Sequence, residues 1–252
     1  MEQQKTVLIT GAAVRLGRAI ALALAGAGWA VGVHYNASAA EAEDTAKAIR
    51  AKGVRAETLK ADLAKESDVQ ALLGKAREAL GPVTALVNNA SVFENDDVRS
   101  MTRASWDKHI ETNLRAPLVL AQNFARELPP DSEGAIVNLL DQRLFKPMPQ
   151  FLSYSVSKAG LHWLTTTLAQ ALAPRIRVNA VAPGPTLRGA RQSEADFRRQ
   201  TEATVLRRGP TPEDIGAAVR YLLEARNVTG QTLVVDAGQH LIWQTQDVTK
   251  TE

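Results

Sequence analysis

Hydrophobic residues in this chain follow two periods that take turns. Short runs of β-branched and apolar residues recur at Thr6–Ile9, Ala30–His34, Arg55–Lys60, Ala85–Val87, Ala135–Leu139, Arg177–Val181 and Thr232–Val235, and each predicts a strand. Between most of them lie longer stretches with apolar positions at helical spacing: Leu16–Ala27, Ala40–Lys52, Val69–Leu80, Trp106–Leu128 and Tyr154–Ala173. Punctuation agrees. Ser38 precedes an Ala/Glu-rich run, Gly53 and Gly81 follow helical runs, and Pro174 closes the helix that starts at Tyr154. The alternation predicts an α/β fold, a doubly wound parallel sheet with helices on both faces.

No low-complexity linker and no repeat divides the chain, so residues 1–252 read as one domain. Residues 184–208 form the least regular stretch, with Pro185, Gly189 and many arginines. A mobile substrate lid is expected there, an ordinary solvated loop being the alternative.

Composition narrows the partners. The formal net charge is +3, and its basic residues are scattered, which argues against nucleic acid despite a pI near 9.3. With no cysteine the chain has no disulfide, thiolate metal site or thiol nucleophile. The start of the chain passes directly into Val7-Leu8-Ile9 without an export signal, and the most apolar stretch, Ala19–Val33, is broken by Gly26, Gly28 and Gly32. It is short of the roughly 20 residues a bilayer requires. A soluble, cytoplasmic protein acting on a small molecule, with no membrane partner, is the expectation.

The first strand runs into Thr10-Gly11-Ala12-Ala13-Val14-Arg15-Leu16-Gly17 and then a helix. A glycine-bearing turn at a helix N-terminus lets backbone N–H groups and the helix dipole meet a pyrophosphate, so Gly11, Arg15, Leu16 and Gly17 are candidate cofactor contacts. Taken alone, the glycines fit a bare structural turn equally well. The second strand ends in His34-Tyr35-Asn36-Ala37-Ser38, without the carboxylate that commonly accepts from an NAD ribose. Asn36 and Ser38 can donate to a 2′-phosphate and Arg15 adds positive charge, which favours NADP(H). His34 reads as the end of a strand. Asp62 and Leu63 after the third strand, and Asn88-Asn89-Ala90-Ser91 after the fourth, stand at the sheet edge where open parallel sheets bind ligands.

At the other end of the chain's chemistry, Tyr154 and Lys158 lie four apart on a helix and so share a face. A neighbouring ammonium is expected to lower the tyrosine pKa and suit it to general acid catalysis.

These features in this order, with Thr10-Gly11, Asn88-Asn89-Ala90, Asn113, Tyr154 and Lys158, Pro183-Gly184 and Val235-Asp236, resemble the short-chain dehydrogenase/reductase family over nearly the whole chain. The resemblance implies a seven-stranded parallel sheet, Tyr154 as proton donor, Lys158 holding the nicotinamide ribose and Asn113 supporting a relay water. It also implies cofactor contacts from Asn89, Ala90, Pro183, Gly184 and Thr186, and a homotetramer. Two departures narrow it, because Arg15 replaces the usual glycine two positions before Gly17 and Asp141 replaces the usual serine thirteen positions before Tyr154. Together with Asn89-Ala90-Ser91-Val92-Phe93 and Gly238-Gln239-His240-Leu241, they make the chain similar to pteridine reductases. In that group Arg15 would meet cofactor phosphate and substrate, Ser91 would touch both ligands, and Phe93 would stack the flat ring against the nicotinamide. Asp141, held protonated or sharing a proton with Tyr154, would serve delivery to a ring nitrogen. The expected activity is NADPH-dependent reduction of a dihydropterin or dihydrofolate-like ring. A carbonyl reductase is the alternative, and a silent NADPH sensor the remote one.

Overall fold

The computed structural model describes residues 5–189 and 192–243. Seven strands, β1 (Thr6–Ile9), β2 (Ala30–Tyr35), β3 (Ala56–Lys60), β4 (Ala85–Asn88), β5 (Gly134–Leu139), β6 (Ile176–Pro183) and β7 (Thr232–Val235), pair in parallel in the order β3-β2-β1-β4-β5-β6-β7. Eight α-helices connect them among the described residues: α1 (Arg15–Gly26), α2 (Ala39–Arg50), α3 (Glu66–Leu80), α4 (Arg103–Ile110), α5 (Ala116–Glu127), α6 (Leu152–Leu172), α7 (Glu194–Glu202) and α8 (Pro212–Glu224).

Strand periodicity sorts the core into two layers. Val7 and Ile9 of β1, with Ala85 and Val87 of β4, pack under Ile20 and Leu24 of α1 and Val219 and Leu222 of α8. The alternate residues Leu8, Leu86 and Ile136 face the other way, against Leu72, Leu120 and Phe124 of α3 and α5. With both faces covered, the functional surface is left to the sheet's ends and edges. The strand order reverses between β1 and β4, and their C-terminal ends open a crevice there.

Three elements depart from the sequence reading. The helix expected over Trp106–Leu128 is interrupted by a π-helical turn at Glu111–Arg115, with Asn113 at its centre. The stretch expected to be an irregular lid contains α7, capped by Ser193, whose hydroxyl accepts from the Asp196 N–H. Positions 190 and 191 of that stretch lie outside the described residues. Helix α8 also forms, opened by a capping box between Thr211 and Asp214 with Pro212 in the first turn.

Candidate active site

The cofactor end of the crevice is tied together by backbone and short side chains. Gly11 turns the chain at φ +64°, and a Cβ on Gly17 would lie 2.0 Å from the Gly11 carbonyl oxygen. Only glycine lets the turn and α1 approach so closely. Asn89 clips β4 to β1: its side-chain N–H groups donate to the carbonyls of Thr10 (2.9 Å) and Gly11 (3.0 Å), while the backbone N–H groups of Asn89 and Ala90 donate to the Thr10 hydroxyl. Val14 at the N-cap of α1 offers no capping oxygen, and the first turn of the helix holds no acidic residue. Opening N–H groups without a side-chain acceptor fit a pyrophosphate. Arg15 adopts a left-handed backbone, φ +54°, and its guanidinium donates to the carbonyls of Leu187 and Arg188.

His34 has a larger part than finishing a strand. It is 2% exposed and its Nδ1 accepts the Gly11 N–H at 2.9 Å, which fixes the hydrogen on Nε2 for the Ala61 carbonyl at 3.1 Å. Burial lowers its pKa to about 4, against the opposing pull of the Ala61 bond. The neutral ring thus joins the Gly11 turn to the Ala61-Asp62-Leu63 turn after β3. Asp62 accepts from Ala64 N–H, and Leu63 is buried. At the end of β2, Asn36 is exposed and Ser38 makes no side-chain cap bond on α2. No carboxylate stands in that stretch, so hydroxyl and amide fit a 2′-phosphate there. Pro183 and Gly184 close the far wall, where a Cβ on Gly184 would lie 2.6 Å from Asp236. Beyond them the Thr186 hydroxyl donates to the Gly184 carbonyl.

At the chemical end, Tyr154 on the first turn of α6 is buried, and its phenol donates to Asp141 Oδ2 at 2.8 Å. Asp141 follows β5, and its other contacts are donors as well: Arg143 N–H to Oδ1 at 2.8 Å and Arg143 Nη1 to Oδ2 at 2.9 Å. In all three bonds the carboxyl oxygens are the acceptors. Lys158 lies beneath, its Nζ 5.7 Å from the Tyr154 ring centre and donating to the Leu139 carbonyl at 2.8 Å.

This arrangement corrects the expected tyrosine shift. Burial first, and then the charge and hydrogen bond of Asp141, push the phenol well above its ordinary value, with Arg143 opposing. The ammonium expected to lower it is itself held down to about 8 by burial, with Asp141 opposing. Tyr154 holds its proton throughout the neutral range.

The surrounding elements hold this corner in place. Asn113, fully buried, spends its side chain on the Val92 backbone and on the Ser157 hydroxyl, so the π-helical turn is fixed both to the loop after β4 and to α6. Asp96 supplies the cap that α6 lacks, accepting from Ser153 N–H (3.0 Å) and the Ser153 hydroxyl (2.6 Å). Phe93 remains 43% exposed, stacked on Phe151 at 4.5 Å and 4° and set edge-on to Tyr154 at 4.7 Å. Phe151 reaches that stack from a left-handed backbone, φ +57°. Ser91 is exposed beside the crevice, donating to the Val92 carbonyl.

Sequence reasoning missed His34, Asp96, Arg143 and Phe151. An Asp-x-Arg turn beside the altered serine position is the one signal that pointed to Arg143. Asp96 and Phe151 meet their partners from distant parts of the chain and carried none.

The family profile described as short chain dehydrogenase matches residues 5–198. A 3-oxoacyl-[acyl-carrier-protein] reductase of Staphylococcus epidermidis is 34% identical over 94% of this chain and 99% of its own. Among solved structures, the FolM alternative dihydrofolate reductase 1 of Brucella suis, in complex with NADP, is 46% identical with a TM-score of 0.95, covering 99% of this chain and 100% of that one. The Brucella canis counterpart, also complexed with NADP, is 45% identical with a TM-score of 0.92 over 98% of each chain. With the crevice at the β1/β4 reversal and the Tyr154–Lys158 pair beneath it, the chain belongs to the short-chain dehydrogenase/reductase family.

Proposed function

We propose that this enzyme reduces a pteridine ring, taking a dihydropterin or dihydrofolate-like substrate to its tetrahydro form with NADPH. The observation that carries the reading is the 2.8 Å bond from Tyr154 to a carboxylate at the position of the family's usual serine. A hydroxyl there can donate to a ketone oxygen, whereas Asp141 as an acceptor suits a heterocycle that presents N–H groups. The likeness to the two dihydrofolate reductases supports the same substrate class.

NADPH, when bound, supplies the hydride. The Gly11–Gly17 turn and the α1 N-terminus would hold its pyrophosphate, Asn36 and Ser38 its 2′-phosphate, and Lys158 its nicotinamide ribose. Tyr154, buried and holding its proton, would be the group placed to protonate a ring nitrogen made basic when the adjoining carbon is reduced. Tyr154 delivers that proton, Lys158 stabilises the phenolate left behind, and Asp141 orients the hydroxyl. Phe93 offers an aromatic surface to a planar ring. The same reading carries a homotetramer, which sedimentation equilibrium checks.

The test is NADPH oxidation by purified protein against dihydrofolate, dihydropterins, quinonoid dihydropterin and simple ketones. Fastest turnover of a pterin or folate is expected. A preference for ketones would assign the chain to carbonyl reduction, the activity in the name of its 3-oxoacyl relative. No turnover of any of them would leave the sensor reading.

A further inference from the structure

Arg143 stands out because one residue touches both the Asp141 carboxyl and the Phe93–Phe151 pair. Its side chain is 18% exposed, against 14% for Asp141. Its backbone N–H and its Nη1 take one oxygen each of the Asp141 carboxylate. Its Nε donates to the Met148 sulfur at 3.2 Å, a further hold on the guanidinium. Its Cζ lies 5.2 Å from the ring centres of both Phe93 and Phe151. Guanidinium planes are attracted to aromatic faces and grip carboxylates directionally.

We propose that Arg143 is a positioning residue for the reaction: gripping Asp141 through its backbone and its guanidinium, it keeps that carboxylate an acceptor for the Tyr154 phenol and anchors the Phe93–Phe151 wall beside it. The bonding holds both oxygens of the carboxylate from one residue. The carboxylate has a cation at 2.9 Å, while the Lys158 ammonium donates to the Leu139 carbonyl. Removing the Arg143 charge leaves Asp141 facing the phenol, with Lys158 on α6 and His109 on α4 as the remaining titratable neighbours. The His109 ring centre is 6.4 Å from that of Tyr154, and its two nitrogens are engaged by Ser105 O and Glu94 N–H. Lys158 donates to the Leu139 carbonyl and the His109 nitrogens are engaged elsewhere, so neither takes over the guanidinium's bonds to the carboxylate, and the phenol loses the cation that opposes its raised pKa. The pair then titrates at higher pH as a unit.

This inference rests on Tyr154 and Asp141 being the reacting pair, and its test has one half that needs no substrate. Carboxyl ¹³C NMR of Asp-labelled protein, with Asp141→Asn to assign the resonance, follows Asp141 in wild type, Arg143→Lys, Arg143→Gln and Arg143→Met. A rise of about one pH unit or more is expected in the neutral variants, with Arg143→Lys within about half a unit of wild type. In the kinetic half, kcat/KM across pH with the best substrate of the panel should shift its limbs upward in Arg143→Gln and Arg143→Met, with kcat down about tenfold or more. KM for NADPH should change less than twofold, and Arg143→Lys should recover most of kcat. An unmoved Asp141 titration in folded, NADPH-binding Arg143→Gln overturns the proposal. So do equal kcat losses in all three variants with an unshifted pH profile, which would leave Arg143 a packing residue. If Tyr154→Phe turns over normally while the NMR shift is found, the assignment of the reacting pair has failed and Arg143's hold on Asp141 stands.

Discussion

At the Gly11 turn the site is shaped by backbone: a positive φ, a missing Cβ and the Asn89 clip hold two strand ends at a fixed gap. At Asp141 the site is shaped by side chains from separate elements, with Asp141 after β5, Tyr154 on α6, Phe93 after β4 and Arg143 in the following turn. A backbone cradle suits a cofactor shared by a whole family, since its geometry does not depend on which side chains vary. A side-chain cluster can be re-specified one residue at a time, and Asp141 is one of the two positions where this chain departs from its family, the other being Arg15 in the turn. The contrast teaches that recognition of the cofactor and choice of substrate are separable here, and each of the following measurements bears on that separation.

The largest expected effect is on chemistry alone. Tyr154→Phe should lower kcat by about 10²–10⁴ while NADPH affinity, measured by calorimetry, changes little. A parallel loss of NADPH binding would erase the separation.

Next comes His34, the pin of the cofactor end. Its pKa falls from 6.5 to about 4 in the folded protein, so between those values the unfolded chain binds the extra proton. The stability His34 contributes is complete above about pH 6.5 and is lost as pH falls through about 4, amounting to about 3 kcal/mol. His34→Gln, which keeps a donor and an acceptor without titrating, should flatten that part of the denaturation-versus-pH curve. An unchanged slope between pH 6.5 and 4 would count against the buried neutral ring.

A smaller effect is expected at Gly17. Adding a methyl 2.0 Å from the Gly11 carbonyl forces the turn open, at a cost of about 1–3 kcal/mol. Gly17→Ala should therefore weaken NADPH binding about tenfold or more and lower Tm, while the residual enzyme, saturated with NADPH, keeps most of its kcat. Smaller still, NADPH should bind at least tenfold more tightly than NADH, about 1.4 kcal/mol, since no carboxylate stands in the Asn36-Ala37-Ser38 stretch at the end of β2. Equal affinities by calorimetry would remove Asn36 and Ser38 from the 2′-phosphate subsite.

The same contrast explains what the sequence made legible. The inner strands were readable because parallel strands buried on both faces form apolar runs, the partly exposed edge strands β3 and β7 because short runs of strand-forming residues recur between helical stretches, and the Gly11 turn because glycine marks special backbone. The capping box that starts α8 was present as Thr211-Pro212-Glu213-Asp214 and would have placed that helix. The depressed tyrosine pKa was misjudged because spacing on a helix reports which groups share a face, and neither their burial nor a carboxylate arriving from β5. Asp96 capping α6 from 57 residues away, and Phe151 stacking from a left-handed backbone, are products of tertiary packing with no local signature.

The central claim is that Asp141 makes this corner selective for a pteridine ring. The direct measurement is kcat/KM for a dihydropterin and for an activated ketone, in wild type and in Asp141→Ser. The account predicts that the substitution lowers the dihydropterin value about tenfold or more, roughly 1.4 kcal/mol of transition-state stabilisation, and leaves or improves the ketone value. Equal losses on both substrates, or unchanged dihydropterin kinetics, would contradict it.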